Sequence, residues 1–181
     1  MASLVLTDSS QLTSDSQHLV CHLLGDYLES IKRDFEKAGK MYKTNCDELN
    51  FPRSCYKFGN YLVLGKGRQE ESHIGGLALL EKGCEKDHAF CCYYISGIFI
   101  SGIKDTPIQK DMDKAFKYST KACELGSIHA CANLSQMYSR GDGTPKNPEL
   151  AERFKKKAIE MQDGLLKPSP TLTFQEGVKP V

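Results

Sequence analysis

The feature that most constrains this chain is a segment that occurs three times, in residues 38–67, 76–102 and 115–143. Each copy carries two cysteines eight or nine residues apart and closes on glycine, as in Gly65-Lys66-Gly67 and Gly141-Asp142-Gly143. A repeat of this period is typical of stacked helical units, because one unit alone cannot bury its apolar side. The paired cysteines of the three copies are Cys46 and Cys55, Cys84 and Cys92, and Cys123 and Cys131.

Each copy has the pattern of a helix–turn–helix hairpin. Gly126 ends the first helix of the third copy and Gly141 the second, since glycine tolerates the positive φ of a helix end. Half-copies flank the full ones, over residues 18–31 and 149–161. The sequence therefore predicts an all-α fold, an α-solenoid of about four helix–turn–helix repeats. The apolar faces predicted for the third copy, at three- and four-residue steps, contain Ala115, Tyr118, Ala122 and Leu125, then Ala130, Leu134, Met137 and Tyr138.

The place of the cysteines within the repeat predicts three disulfide bonds. In each copy one cysteine ends the first helix and the other begins the second. The tight turn between them brings the two Cα atoms within the ~4.4–6.8 Å that a disulfide requires. Closing so short a loop stabilises the fold by about 2–3 kcal/mol in the chain-entropy model. The alternative is free cysteine packed as a small hydrophobe, but alanine would serve equally well at three equivalent pairs of positions.

Two cysteines remain outside this scheme. Cys21 occupies a second-helix position, and the sequence offers no upstream cysteine to pair with it. Cys91 adjoins Cys92, so either of the two is a candidate partner for Cys84. A bond between Cys21 and Cys91 is a further alternative that the spacing does not predict. We class Cys21 and Cys91 as unpaired or uncertain thiols, with Cys91 interpreted as a packing residue.

Charge and hydropathy exclude two classes of partner. Lys+Arg 24 against Asp+Glu 23 gives a formal net charge of +1, which predicts no nucleic-acid binding. The basic run at residues 155–157 lies among glutamates and is interpreted as a solvated helix face. The longest apolar stretch, residues 93–103, contains Ser96, Gly97, Ser101 and Gly102 and is too short for a membrane span.

The chain divides into three parts by composition. Residues 1–17 contain no Lys or Arg, and Ser, Thr, Asp and Gln dominate from residue 7, which predicts a disordered leader rather than a secretory signal or a mitochondrial presequence. Residues 18–162 form the predicted solenoid, and residues 163–181 a flexible C-terminal tail.

Several segments carry a resemblance to a known family, among them CHLLGDYLESIKRDFEKAGK, SCYKFGNYLVLGKG and MDKAFKYSTKACELGSIHACANLSQMY. They resemble cysteine-bridged Sel-1-like repeats, relatives of the tetratricopeptide unit. The cysteine grid and the tail TLTFQEG are similar to those of mitochondrial cytochrome c oxidase assembly factors of this kind. The chain departs from them in being shorter, with no cysteine upstream of Cys21 and one internal repeat fewer.

The resemblance implies a location, partners and a cofactor. It implies a soluble protein of the mitochondrial intermembrane space, without a cleavable presequence, imported with the help of a disulfide-relay oxidoreductase. The expected partners are respiratory-chain subunits or assembly factors, for which the chain acts as a non-enzymatic scaffold. The resemblance also implies haem as a cofactor that the scaffold does not require, and no residue of this sequence is matched to a haem ligand.

Motifs for catalysis or metal binding are missing from the sequence. It contains no P-loop, HExxH, GxSxG or CxxC motif, so we predict no catalytic residue and no metal site. His18 and His22 lie four residues apart beside Cys21, but no carboxylate completes a ligand set. The glycine-rich ends of the repeats are interpreted as helix ends rather than as phosphate loops.

Two alternatives to the scaffold remain at this stage. The first is a hydrolase, since cysteine-rich bacterial proteins of this repeat type have been linked to β-lactam hydrolysis. Against it, no SxxK set is present, and Ser119-Thr120-Lys121 has the wrong spacing. The second is a cytosolic protein-binding adaptor whose cysteines are reduced.

Overall fold

The computed structural model describes residues 14–68 and 72–166, and in these ranges the chain forms eight α-helices, one short 3₁₀ helix at Lys66–Arg68 and no strand. This confirms the all-α prediction. The helices are α1 (Ser14–Ser30), α2 (Phe35–Asp47), α3 (Pro52–Val63), α4 (His73–Glu85), α5 (Ala89–Ser101), α6 (Met112–Glu124), α7 (Ile128–Arg140) and α8 (Pro148–Leu166).

The helices stack as hairpins in chain order. We call α2, α4 and α6 the leading helices and α3, α5 and α7 the trailing helices of three complete hairpins. Each trailing helix packs on the leading helix of the next hairpin, while α1 packs on α2 and α8 on α7. The predicted solenoid with a half-repeat at each end is therefore confirmed among the described residues.

The ends of the solenoid differ from the predicted boundaries. Helix α1 begins at Ser14 rather than at residue 18, and α8 continues to Leu166 rather than ending at residue 162. The rest of the predicted leader, residues 1–13, and of the predicted tail, residues 167–181, lies outside the described residues.

Side-chain caps begin four of the helices that form the hairpins. Asp34 and Asp111 precede α2 and α6, and Ser72 and Ser127 precede α4 and α7. Each side-chain oxygen accepts a hydrogen bond from the backbone N–H three residues later, at 3.0–3.3 Å. These bonds satisfy N–H groups that the helix itself leaves unpaired, so the hairpin boundaries are written into the sequence locally.

Small side chains allow the helices to approach closely at the centre of the stack. Ala115, Ala122 and Ala130 are fully buried, and Leu134 is buried in the same apolar cluster. Between α5 and α6, the buried hydroxyls of Ser96 and Ser119 share a hydrogen bond of 2.6 Å, so neither polar group is left unsatisfied.

The glycine pairs that end the first and third copies bring the end of each hairpin back against the start of its own leading helix. Gly141 ends α7 in the left-handed conformation, and Gly143 follows at φ 66° with no room for a Cβ beside the backbone of Met112. Gly67, at φ 70°, lies in the same way against the backbone of Phe35. In both copies the second glycine packs on the start of the leading helix, which supports the interpretation as a structural turn rather than a phosphate loop.

Two glycine-to-alanine substitutions test whether this close backbone approach contributes to stability. We expect Gly143→Ala to lower the free energy of unfolding by about 1–3 kcal/mol, because alanine strains the positive φ and its Cβ collides with backbone. Gly97→Ala is the control, since Gly97 lies inside α5 with nothing within 4 Å of the added Cβ. Alanine there should raise stability by about 0.5–1 kcal/mol. Urea titration of both variants measures the difference, and equal effects would contradict the assignment.

Candidate functional site

In the structure, a cysteine pair joins the two helices of every complete hairpin. The Cα atoms lie 4.7 Å apart in Cys46–Cys55, 4.9 Å in Cys84–Cys92 and 4.8 Å in Cys123–Cys131, all bonded and buried. Each pair links the last turn of the leading helix to the first turn of the trailing helix. The structure pairs Cys84 with Cys92 and leaves its neighbour Cys91 as a thiol.

Cys91 is enclosed between three helices. Its Sγ lies 3.9 Å from the carbonyl oxygen of Pro52 and directly against Gly83, where a Cβ would not fit. Burial raises the pKa of the Cys91 thiol to about 12. The thiolate needed for disulfide exchange is therefore scarce near neutral pH, and the side chain acts as packing.

Cys21 and the two nearby histidines do not assemble a metal site. Cys21 is half-buried on α1 and is a free thiol, so the structure does not join it to Cys91. His22 is buried, with Nδ1 at 3.0 Å from Ser54 Oγ and Nε2 at 3.5 Å from Asp26 Oδ2. His18 packs edge-on against Phe51. Within residues 14–68 and 72–166, no three His, Cys, Asp or Glu side chains are grouped to hold a metal ion.

Three side chains of the types that hold haem iron have other contacts. Haem iron is commonly held by histidine or methionine. His22 uses both ring nitrogens, Met137 is buried in the core, and the Met161 Sδ lies 3.9 Å from Cys131 Sγ. These contacts occupy the three side chains in this structure.

The serine considered for hydrolase chemistry is part of the core. Ser119 is fully buried and bonded to Ser96, and the Lys121 ammonium lies 3.0 Å from Asp87. A nucleophilic serine must reach substrate and a base within hydrogen-bond distance. Ser119 does neither here.

A surface that the sequence prediction did not identify runs along the trailing helices. The positions two residues before and one residue after the second cysteine point to the same side in successive repeats. In α3 they hold Arg53 and Tyr56, and in α5 they hold Phe90 and Tyr93. Because equivalent positions align from one hairpin to the next, these side chains form a continuous row. We call the row, with its aromatic neighbours, the aromatic face, which consists of Tyr56, His88, Phe90, Tyr93, Tyr94 and His129.

Ring contacts hold the aromatic face together. The Tyr56 ring centroid lies 5.8 Å from that of His88, 6.0 Å from Phe90 and 6.1 Å from Tyr94. Further along, Tyr93 and His129 are 5.7 Å apart. These separations are in the range of favourable aromatic pairs, so the rings support one another while their outer surfaces face solvent.

Two cavities open on this face. The first, about 370 Å³, lies between α1, α3 and the start of α5 and has Arg53, Tyr56, His88 and Phe90 in its wall. The second, about 470 Å³, is lined mainly by apolar and aromatic side chains, namely Val63, Leu64, Tyr93, Tyr94, Ile98 and Ile103, together with His73, Gly97 and Ser101. Hollows with aromatic side chains in their walls fit the side chains of a protein segment better than a single small metabolite.

The first cavity has a histidine in its wall and charges of both signs at its rim, where Arg53 and Lys57 lie with Asp87. Burial lowers the pKa of His88, and the nearby Arg53 guanidinium and His22 lower it further, so its imidazole is neutral at pH 7. The His88 Nδ1 atom is buried without a hydrogen-bond partner among the described residues. Arg53 is exposed at the rim.

A second feature missed at the sequence level is a polar network that fixes α1 to the first hairpin. The Tyr42 hydroxyl shares its one proton between two carboxylates, Asp26 at 2.7 Å and Glu29 at 3.0 Å. Lys57 and Lys66 donate to Glu29 at 2.8 and 2.6 Å. Burial of Glu29 disfavours its charge, but these hydrogen bonds outweigh burial and lower the pKa of Glu29 to about 2.

The fold and this surface define a class: disulfide-braced α-solenoids, whose extended faces bind other proteins. The sequence pattern described as Sel1 repeat matches residues 14–44, 89–127 and 128–163. A crystal structure of a Sel1 repeat protein from Oxalobacter formigenes superposes with a TM-score of 0.71 at 19% identity, covering 88% of this chain and 63% of that chain.

Curated relatives narrow the assignment. The chain is 39% identical over 235 aligned positions to "Cytochrome c oxidase assembly factor 7 homolog" of Drosophila melanogaster, covering 91% of this chain and 88% of the relative. It is 34% identical to "Cytochrome c oxidase assembly factor 7" of Xenopus tropicalis, covering 84% and 83%. The chain belongs to the Sel1 repeat family, within its cytochrome c oxidase assembly factor 7 group.

We expect alkylation to sort the cysteines into three classes. Native protein should react with iodoacetamide at Cys21 only, Cys91 should react after unfolding, and the six paired cysteines only after reduction. Mass spectrometry of peptides from each sample measures the pattern. Free alkylation of the six without reductant would contradict the pairing.

Removing one bridge tests its contribution to stability. The double variant Cys123→Ala, Cys131→Ala should lose about 2–3 kcal/mol of unfolding free energy, because the unfolded chain regains the freedom of the short loop. Guanidinium titration measures the loss, and wild type in excess reductant should lose more because all three bridges open. A change below about 0.5 kcal/mol would contradict this role for the bond.

The polar network predicts a pH dependence of stability. The pKa of Glu29 falls from the model-compound value of 4.5 to about 2 on folding. Its contribution is therefore fully present above pH ~4.5 and is lost as the pH falls towards 2. Urea titrations should show wild type more stable than Glu29→Gln at pH 7, with the gap closing between about pH 4.5 and 2. Glu152→Gln, at an exposed ion pair, should show no such pH-dependent difference from wild type. If the stability difference for Glu29→Gln did not change with pH, the lowered pKa of Glu29 would not be its cause.

Proposed function

We propose that this chain is a non-enzymatic scaffold for the assembly of mitochondrial respiratory-chain complexes, chiefly cytochrome c oxidase. The observation that carries the proposal is the kinship, over 84–91% of the chain, with proteins named cytochrome c oxidase assembly factor 7. Because a scaffold acts by binding alone, the proposal requires no cofactor and no catalytic residue.

The proposed compartment is the intermembrane space, and the cysteine pairs support it. Disulfides persist where the surroundings are oxidising, and three of them lie in hairpins too small to bury their own apolar sides. A disulfide-relay import oxidoreductase is accordingly a proposed partner, since it would form these bonds as the chain enters. None of the helices that the structure describes is long and apolar enough to cross a membrane.

The proposed binding surface is the aromatic face with its two cavities. Exposed aromatic side chains that are held by neighbouring rings supply apolar contact area at a low entropy cost. Arg53 at the rim adds a charge-assisted contact for an acidic residue of the bound segment. We propose that a respiratory-chain subunit or a second assembly factor binds here through apolar side chains next to a carboxylate.

A complementation experiment tests this function. In cells that lack the gene, the level and activity of assembled cytochrome c oxidase should fall, and wild-type protein should restore both. Phe90→Asp should restore them poorly, because it places a charge on the aromatic face without harming the fold. Aspartate in the first turn of α5 is favourable for the helix. Native gels and oxidase assays measure the outcome.

The matched control is Leu165→Asp. Phe90 is 54% exposed and Leu165 is 77% exposed, but Leu165 lies in the last turn of α8, outside the two cavities and the ring contacts of the aromatic face. Leu165→Asp should restore the oxidase as well as wild type does. Normal oxidase in the knockout would refute the assembly role, and equal rescue by both variants would refute the aromatic face as the binding surface. Protease protection of the protein in intact and swollen mitochondria tests the compartment.

A further inference from the structure

Helix α1 has the register of a trailing helix. Cys21, Gly25 and Tyr27 stand in the same order and spacing as Cys55, Gly59 and Tyr61 in α3. The structure uses the two glycines alike, since Gly25 lies against Tyr42 of α2 and Gly59 against Leu80 of α4. Helix α1 therefore contacts the next leading helix as the other trailing helices do.

The opposite side of α1 is apolar and open. Six large hydrophobic side chains on α1 and the residue after it are 42–68% exposed. At 100° per residue they fall within one sector of the helix, which makes them a continuous stripe rather than scattered residues. We call them the α1 stripe, which consists of Leu19, Val20, Leu23, Leu24, Tyr27 and Ile31.

The other end of the stack has a different surface. In α8 the position of a leading-helix cysteine is occupied by Ile159, and the open side around it carries exposed Lys155, Lys156 and Glu160. Terminal repeats of solenoids need such a polar outer side to stay in solution. The α1 end lacks this polar cap in the described part of the chain.

The complete hairpins show what covers a trailing helix. In each of them a leading helix lies antiparallel to it and meets it at the cysteine position, with Cα atoms 4.7–4.9 Å apart. A helix in the equivalent place on α1 would end near Cys21 and begin near the C-terminal end of α1. Cys21 is half-buried and unbonded, so this place is accessible.

Positive charges at the end of α1 indicate which way a bound helix would run and that its first turn would be acidic. Lys32 and Arg33 are exposed at the C-terminal end of α1 and form no ion pair with a described residue. Leading helices α2 and α6 carry acidic residues in their first turns, Glu36 and Asp113. An acidic first turn is favoured at a helix N-terminus and would lie next to these two cations.

We propose that the α1 stripe binds an amphipathic helix of a partner protein, antiparallel to α1, with an acidic first turn. The bound helix takes the place of a leading helix and completes the first hairpin. This site is separate from the aromatic face, and its existence does not depend on the function proposed above.

A peptide probe tests the site in the full 181-residue protein. The probe is a fluorescent peptide of residues 111–126, the leading helix α6 with its acidic start, carrying Cys123→Ala to prevent disulfide exchange. It should bind and should slow alkylation of Cys21, since the cysteine lies beside the proposed contact. Leu23→Lys should weaken binding about tenfold or more, whereas Ile159→Lys should leave it unchanged.

Control experiments distinguish a partner helix from a second copy of this chain as the occupant of the α1 stripe. A probe that also carries Asp113→Lys, with the capping Asp111 kept, should bind about threefold more weakly, because its charge opposes Lys32 and Arg33. Equal thermal unfolding of wild type and Leu23→Lys shows that the fold is intact, as expected for an exposed side chain. The proposal is overturned if the probe leaves Cys21 unprotected or binds Leu23→Lys and wild type equally. Light scattering that shows a dimer dissolved by Leu23→Lys would also overturn it, since a second copy would then be the occupant.

Discussion

The bond between the two helices of each hairpin is the interaction on which the rest of the structure depends. A pair of thirteen-residue helices has too little apolar surface to stay together alone. The hairpins stack regularly only if the two helices of each hairpin keep a fixed angle to one another. The bridge fixes the turn at the point where the helices are closest. In all three hairpins the second Sγ lies 3.7–3.9 Å from the carbonyl oxygen of the first cysteine, so one local geometry is repeated along the stack.

The same regularity creates the aromatic face. Once the second cysteine is fixed in the first turn of a trailing helix, the residues two before and one after it are held on the outer side of that turn. Each repeat places a side chain there, so Arg53, Tyr56, Phe90 and Tyr93 become neighbours although they are far apart in sequence. The disulfide bond and the candidate binding surface thus both follow from the position of the second cysteine in the repeat.

The N-terminal end joins the stack through a polar network in addition to its apolar contacts. Tyr42 and Lys57 converge on the carboxylates of Asp26 and Glu29, which ties α1 to α2 and α3 without a bridge at Cys21. This arrangement leaves the far side of α1 apolar and exposed. The charged outer side of α8 shows the usual solution at the other end, so the two ends of the solenoid are built for different surroundings.

The sequence by itself determined the repeat, the helical hairpins and the family, because these depend on local spacing: helix-period apolar positions, Asp and Ser caps, and glycines at the same place in each copy. It left open whether Cys91 or Cys92 joins Cys84, since adjacent residues have nearly the same spacing. Only the tertiary structure decided this, by turning Cys91 towards Pro52 of the neighbouring hairpin. The aromatic face and the Glu29 network also required the tertiary structure, because each joins side chains from different hairpins or helices. Their contact depends on how the hairpins stack, and no pattern within one helix records that.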